Sequence, residues 1–286
     1  MTIIEISGIN AFMYAPYMGE DMAENLNREF YRGIAVVSDE DYSFAAGIVW
    51  EYRNVEGDAK NTESVIRWIR IVNPVAEEAL FRAYSEKIKV YRPTHSHFVI
   101  PVKEGKAEKE ALKRAGFTAK LTEGDNVIVS LSELLKMPLA QKRKIPEQIG
   151  AIKELSFRAF KRGITKCTLA GRKGLCEDLI YLPMTWFETD VSCYIKKEGL
   201  THGFLLFHKL PSGMLSIQLM YAMGDNPQQN LIGMIRRFIF TMEEKYPADT
   251  KILLNRHNQV SLQLTEKLLP RGFGIPVYAG ERVEQY

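Results

Sequence analysis

One order of elements occurs twice along this chain, and that repetition limits the fold more than any single motif does. In the second half, residues 214–223 form a β-rich apolar run that predicts a strand, with Ser216 and Gln218 on one face and Ile217, Leu219 and Tyr221 on the other. Asp225, Asn226 and Pro227 carry turn and helix-start chemistry. Leu231, Ile235, Phe238, Ile239 and Met242 then mark a helix that ends near Pro247. Lys251–Asn255 reads as a second strand, Val260, Leu264 and Leu268 mark a second helix, and residues 271–273 lead into a closing extended segment.

The first half runs through the same order. A strand is expected at 3–6 and a helix at 22–30. Three β-rich runs follow at 34–37, 45–52 and 64–72, broken by turn-forming residues 38–41 and 55–58, which predicts an antiparallel meander. Residues 74–88 form a helical pattern, 97–102 a strand, 107–114 a short helix and 126–130 another extended stretch. Residues 131–146 contain a short helical segment, two prolines and a basic run at 141–144, and separate the two copies. The expected domains are therefore 1–138 and 139–286. Ahead of the strand at 214–223, the second half is expected to contain an amphipathic helix at 149–160, a loop at 163–173, a helical turn at 177–181, and strands at 190–196 and 203–209.

A chain of 286 residues with 46 % apolar and 26 % charged content has ample core for two globular domains. The 38 basic and 35 acidic residues are interspersed for a net charge of +3, which gives little support for nucleic-acid or membrane-surface binding. Cys167, Cys176 and Cys193 lack metal-site spacing and are odd in number, which fits reduced thiols in the cytoplasm. No apolar run has membrane-spanning length, and the first residues do not resemble a signal peptide. His95 and His97 would share one strand face, but no acidic or cysteine cluster lies near them in sequence, and no metal is expected.

The strand, turn and helix around residue 225 resemble the core of the GNAT acyltransferases, whose turn reads Val-x-Pro, two residues, then Gln/Arg-x-x-Gly-x-Gly/Ala. With Met223 on the Val, Gln228 takes the Gln/Arg position, Leu231 replaces the first Gly and Gly233 matches the last. The resemblance implies a fold of α/β (α+β) class: two tandem GNAT-like domains, each a mixed, mostly antiparallel sheet flanked by helices. It also implies acetyl-CoA or another acyl-CoA at Met223, Gln228, Gln229, Asn230, Leu231, Ile232 and Gly233. Peptide N–H groups at a helix start converge on an anion there, and the helix dipole adds to their pull. Asn255 matches an asparagine that contacts CoA in the family, and equally suits a strand end. Gly233 equally suits close helix packing. The first half departs from the turn: Glu77, Leu80 and Arg82 stand at its three positions, and acids at Glu77 and Glu78 disfavour an anion.

The family often uses a Glu acting through water as base and a Tyr as acid. Here Gln218 lies near the Glu position, Thr265 stands in the Tyr place, and Leu112 occupies the matching place of the first half. Tyr221, Glu188, Asp190, His202 and His208 are the remaining titratable candidates, and the catalytic reading falls on Tyr221, Gln218 and Thr265. The implied function is acyl-CoA-dependent N-acyltransfer, in the simplest case acetyl transfer, from the C-terminal half to a small-molecule or peptide amine. A CoA- or protein-binding pseudoenzyme, a Fem-type aminoacyltransferase and a structural scaffold are the alternatives.

Overall fold

The computed structural model describes residues 1–26, 31–54, 62–103, 105–141, 144–170, 177–256, 259–269 and 272–286. The chain divides into two compact units: unit 1 is Met1–Gly124 with Ile275–Tyr286, and unit 2 is Asp125–Gly274.

In unit 1, β1 (Thr2–Ile6), β2 (Tyr31–Val37), β3 (Phe44–Asn54) and β4 (Thr62–Ile71) form the antiparallel meander. α1 (Ala11–Met18) and α2 (Glu20–Asn25) lie between β1 and β2. After β4, Asn73 accepts a hydrogen bond from the Val75 N–H and Pro74 fixes the first turn, so a short 3₁₀ turn leads into α3 (Glu77–Ile88). β5 (His95–Pro101) returns parallel to β4, and α4 (Lys106–Arg114) follows. Ile34, Ala35 and Val36 are all buried because both faces of the sheet are covered. Ile34 and Val36 pack with Leu80, Tyr84 and Ile88 of α3, and Ala35 with Tyr14 and Met18 of α1. The Tyr84 hydroxyl reaches Ser64 on β4 and Ser96 on β5, clamping the two parallel strands from beneath.

Unit 2 repeats the plan. β7 (Ile149–Ala151), β8 (Cys193–Lys197), β9 (Leu200–Lys209) and β10 (Leu215–Ala222) are antiparallel, α8 (Pro227–Lys245) crosses over, and β11 (Lys251–Asn255) lies parallel to β10. Phe238 of α8 stacks on Phe207 of β9 with ring centroids 4.1 Å apart, anchoring the crossover helix to one face. The other face is covered by α7 (Phe157–Ala170), whose Phe160, Ile164 and Cys167 pack on Phe204, Leu206 and Leu219. Each unit is thus a mixed, mostly antiparallel sheet flanked by helices, as expected.

Several expectations differ from the structure. The contacts do not follow the 1–138 and 139–286 division. Asn126–Ser130 of β6 (Lys120–Ser130) pairs with β11, and Leu131 and Leu134 of α5 (Leu131–Leu135) join the core of unit 2. The closing strand β12 (Gly274–Val283) pairs instead with β5 of unit 1. The helix expected at 149–160 is a strand, a 3₁₀ turn and only then α7. The spacing of Ile149, Ile152 and Leu155 mimics a helical stripe, but the helix begins where Ser156 Oγ accepts from the Ala159 N–H. The loop expected at 163–173 is helical as far as Ala170, and 171–173 lie outside the described residues. Gly163 is there for contact, since a Cβ at that position would stand 2.9 Å from the Phe204 ring. α1 was not anticipated, and the strand expected from 190 begins at Cys193. Phe30, the turn at 55–58, Lys142, Arg143, Cys176 and Arg271 lie outside the described residues, and a short helix, α6 (Pro138–Gln141), stands before Lys142.

Candidate active site

β10 and β11 are paired only at Leu215↔Ile252 and Ser216↔Leu253, and then part. At the point of parting, β10 carries a bulge. Ile217 pairs with Phe207 and Leu219 with Leu206, which leaves Gln218 as the extra residue. The bulge resets the alternation of side chains, so the expected faces are corrected. Leu219 and Tyr221 pack on the α7 side, with Phe204 and Leu206, while Ile217 packs on the α8 side. From the point of parting to Ala222 the strand runs about 20 Å, leading to the turn before α8.

α8 starts at Pro227, whose missing N–H costs the helix nothing there. Asn226 makes no side-chain capping bond, so the Gln228 and Gln229 N–H groups are not claimed by a cap. The Asn230 N–H already donates to the Asn226 carbonyl (3.1 Å), and Leu231, Ile232 and Gly233 lie deeper in the helical ladder. The Leu231 N–H therefore belongs to the helical ladder. The Met223 N–H donates to the His202 carbonyl, and the Met223 carbonyl accepts from Asn230 Nδ2 (3.4 Å). Gly233 makes room for a neighbour, because a Cβ there would stand 2.6 Å from Ile149 Cδ1 and 3.3 Å from Pro146. Leu231 is half-buried against the same core. Asp225 near the turn is paired with Lys197 at 3.1 Å, and this pairing holds its charge locally.

Around the point of parting, Gln218 Nε2 donates to Ser216 Oγ (3.0 Å), and Ser216 faces His208 across the β9–β10 ladder. His208 is buried and stacks parallel on the Trp186 ring, with centroids 3.6 Å apart and planes 1° from parallel. Its Nδ1 lies 2.8 Å from the Trp186 carbonyl. A carbonyl only accepts, so Nδ1 carries the proton and Nε2 is the basic nitrogen. Tyr221 donates its hydroxyl to the Ala170 carbonyl at the end of α7 (3.1 Å), and burial raises its pKa, which keeps it protonated at neutral pH. The Thr265 hydroxyl, in α9 (Gln259–Leu268), is directed at the Ser261 and Leu262 carbonyls of its own helix, 2.7 and 3.1 Å away. Asn255 Nδ2 donates to Asn126 Oδ1 (3.0 Å). Gln218, Ser216 and His208 are therefore neighbours, whereas the Thr265 hydroxyl is directed within its own helix and Asn255 bonds to Asn126. His208 was one of several titratable candidates by sequence. Its stack on Trp186, which is distant in sequence, is what singles it out.

Unit 1 has the same opening with different contents. β4 and β5 pair from Glu63↔His95 to Ile66↔Phe98 and then part, next to a register shift between Val49 and Trp50. Val72 turns its N–H to Ala45 of β3, so the Ile71 N–H points to the opposite side, into the opening. There Glu108 of α4, itself buried, accepts from the Ile71 N–H (3.4 Å) and from Arg70 (3.5 Å). At the start of α3, Arg114 grips Glu77 with two hydrogen bonds of 2.8 and 2.7 Å, which lower the carboxyl pKa below its ordinary value. Leu112 is a buried core residue. His97 lies between Glu63 (3.4 Å) and Glu281 (3.8 Å). Among the described residues no three His, Cys, Asp or Glu side chains are grouped to hold a metal ion, and no helix is long and apolar enough to cross a membrane. Cys167 and Cys193 are buried outside any disulfide, and burial pushes both thiols up to about 12.

No protein-family model and no curated protein sequence matches the chain. Solved structures do. A tandem GNAT protein from the clavulanic acid biosynthesis pathway, in a form without AcCoA, aligns over 99 % of this chain and 98 % of its own with a TM-score of 0.57 at 8 % identity. The chain has a tandem GNAT-like fold. A protein of Enterococcus faecalis V583, described as a probable N-acyltransferase, aligns over 99 % of this chain and 72 % of its own with a TM-score of 0.51 at 9 % identity. Identities this low carry the fold alone. Within the tandem GNAT-like fold, the turn compared by sequence with the family's acyl-CoA turn joins β10 to α8 in unit 2. Its counterpart in unit 1 joins β4 to α3 and carries Glu77 and Glu78.

Proposed function

We propose that unit 2 is an acyl-CoA-dependent N-acyltransferase, with acetyl-CoA as the simplest donor and a small-molecule or peptide amine as acceptor. The observation that carries this reading is the parting of β10 from β11 in front of the uncapped start of α8. The Gln228 and Gln229 N–H groups would hold the diphosphate, flanked by Met223, Asn230, Leu231, Ile232 and Gly233, and the extended arm would follow β10 to the bulge, with Asn255 on the facing strand. At the bulge the amine nitrogen attacks the thioester carbonyl carbon, the C–S bond breaks, and CoA leaves as the thiolate. His208 Nε2 takes the proton lost by nitrogen, Gln218 orients the water or carbonyl beside it, and Tyr221, its hydroxyl turned from the Ala170 carbonyl, returns a proton to sulfur. A positioned base of this kind contributes about 10²–10⁴ in rate. Two buried thiols outside any disulfide suit a cytoplasmic setting for this activity.

Acyl transfer is measured by the release of free CoA thiol across a panel of amines. His208→Gln is expected to cut kcat by about 10²-fold or more while leaving acetyl-CoA binding intact. A second reading, a CoA-binding pseudoenzyme, is favoured by the Thr265 hydroxyl being directed into its own helix and the Gln218 amide donating to Ser216. Acetyl-CoA binding without thiol release from any amine would establish that reading instead.

A further inference from the structure

α1 is apolar on both of its faces. Ala11, Tyr14 and Met18 point into unit 1, and a two-turn helix needs no second apolar stripe to stay folded there. Yet Phe12, Met13 and Pro16, with Ile9 just ahead of the helix, fall at the spacing of a docking stripe on the outer side, while Tyr17 at its far end stacks on Phe44 of unit 1. Ile9 is 88 % exposed, Phe12 70 % and Met13 62 %, and the helix itself contains no charged residue. Contiguous exposed apolar surface of this kind marks an interaction site.

Charge says what fits the stripe. Residues 1–26 hold Glu5, Glu20, Asp21 and Glu24 and no Lys or Arg; Glu5 is paired with Lys87 at 3.0 Å, so the acidic border is set by Glu20 and Asp21 in the first turn of α2. A helix that lies on a lipid surface carries Lys and Arg beside its apolar face, so an acidic border points away from a bilayer and toward a basic protein surface. The chain itself carries one. α7 exposes Arg158, Arg162 and Lys166 and contains no acid, while Lys161 is turned to the Ile180 and Leu182 carbonyls; its outer side also exposes Phe157 (61 %) and Leu169 (81 %). We infer that the α1 stripe of one copy of this chain docks on the outer face of α7 of a second copy, apolar side chains at the centre and opposite charges around them.

Sedimentation velocity of the full chain over a range of concentration and salt tests the contact. Reversible association above the 32.7 kDa of one chain is expected, weakening as salt screens the rim. Phe12→Ser with Met13→Ser, and separately Arg158→Glu with Arg162→Glu, should each weaken association by about tenfold or more without lowering the melting temperature, since all four side chains are exposed. Adding Glu20→Lys and Asp21→Lys to the α7 reversal should restore part of it. A chain that stays monomeric throughout, including one that binds anionic vesicles instead, overturns the inference. So does association that responds to only one of the two helices, or to neither.

Discussion

Units 1 and 2 open their sheets at the same place and treat the opening differently. Parting two parallel strands exposes backbone N–H groups that need partners. In unit 1 the protein supplies its own, with Glu108 on the Ile71 N–H, and a Glu77–Arg114 pair occupies the start of the crossover helix. In unit 2 the equivalent helix begins at Asn226 and Pro227 without a side-chain cap, and the bulge residue Gln218 stands beside Ser216 and His208. One fold can thus place two carboxylates at this opening in one copy and leave the helix start uncapped in the other, so fold similarity alone does not locate a binding site.

The comparison is broken most severely through the strand that completes unit 1. A Cβ at Gly280 would run into the Thr118 carbonyl oxygen, which is backbone and cannot move aside. Gly280→Ala is expected to cost about 3 kcal/mol or more and to cost unit 1 alone. Hydrogen exchange should show β5 and α4 losing protection while α8 and β9 keep theirs. Equal loss in both units would mean that the closing strand does not belong to unit 1.

Glu108→Ala should have the next largest effect. It leaves the Ile71 N–H without its buried acceptor and is expected to destabilise unit 1 by about 1–3 kcal/mol, read as a lower urea midpoint at unchanged slope. An unchanged midpoint would show that the carboxylate does not fill the opening.

Gln229→Glu makes the start of α8 resemble that of α3. The new carboxylate sits in the first helical turn, so the unliganded protein should gain about 0.3–1 kcal/mol, while acetyl-CoA affinity should fall by about tenfold from repulsion of the diphosphate. Opposite signs in melting temperature and affinity are the signature of an anion site. A parallel change in both would argue against one.

The smallest effect is the pH dependence of Glu77. Its folded pKa lies below its ordinary value of 4.5, so the stability it contributes is present above that value and is lost as pH falls through the lower folded one. The deficit of Glu77→Gln relative to the parent, measured by thermal melting, should therefore be small at neutral pH and shrink toward zero in acid. A deficit that grows on acidification would contradict the pairing with Arg114.

Much of this architecture is legible in local pattern. Lys251–Asn255 matches its strand to the residue because an apolar run between turn signals is a local property, and α8 is found, with an end near Pro247, because its start signals and its stripe lie within one segment. What depends on pairing is not legible. Nothing near Gln218 announces the bulge, so Leu219 and Tyr221 were placed on the wrong face, and the destination of β12 is set by Phe98, Thr118 and other distant partners. The glycines show the same limit. Gly163 and Gly233 stand inside α7 and α8 for the sake of Phe204 and Ile149, contacts that no spacing rule contains. The helix-start residues of the candidate site were legible, whereas the partners of His208 and Glu108 come from elements far along the chain.

Calorimetric titration of the full chain with acetyl-CoA tests the central contrast most directly. One site per chain is expected, weakened by Gln229→Glu and retained in Glu108→Ala. No binding, or binding that survives Gln229→Glu unchanged and is abolished by Glu108→Ala, would contradict the assignment of the receptive opening to unit 2.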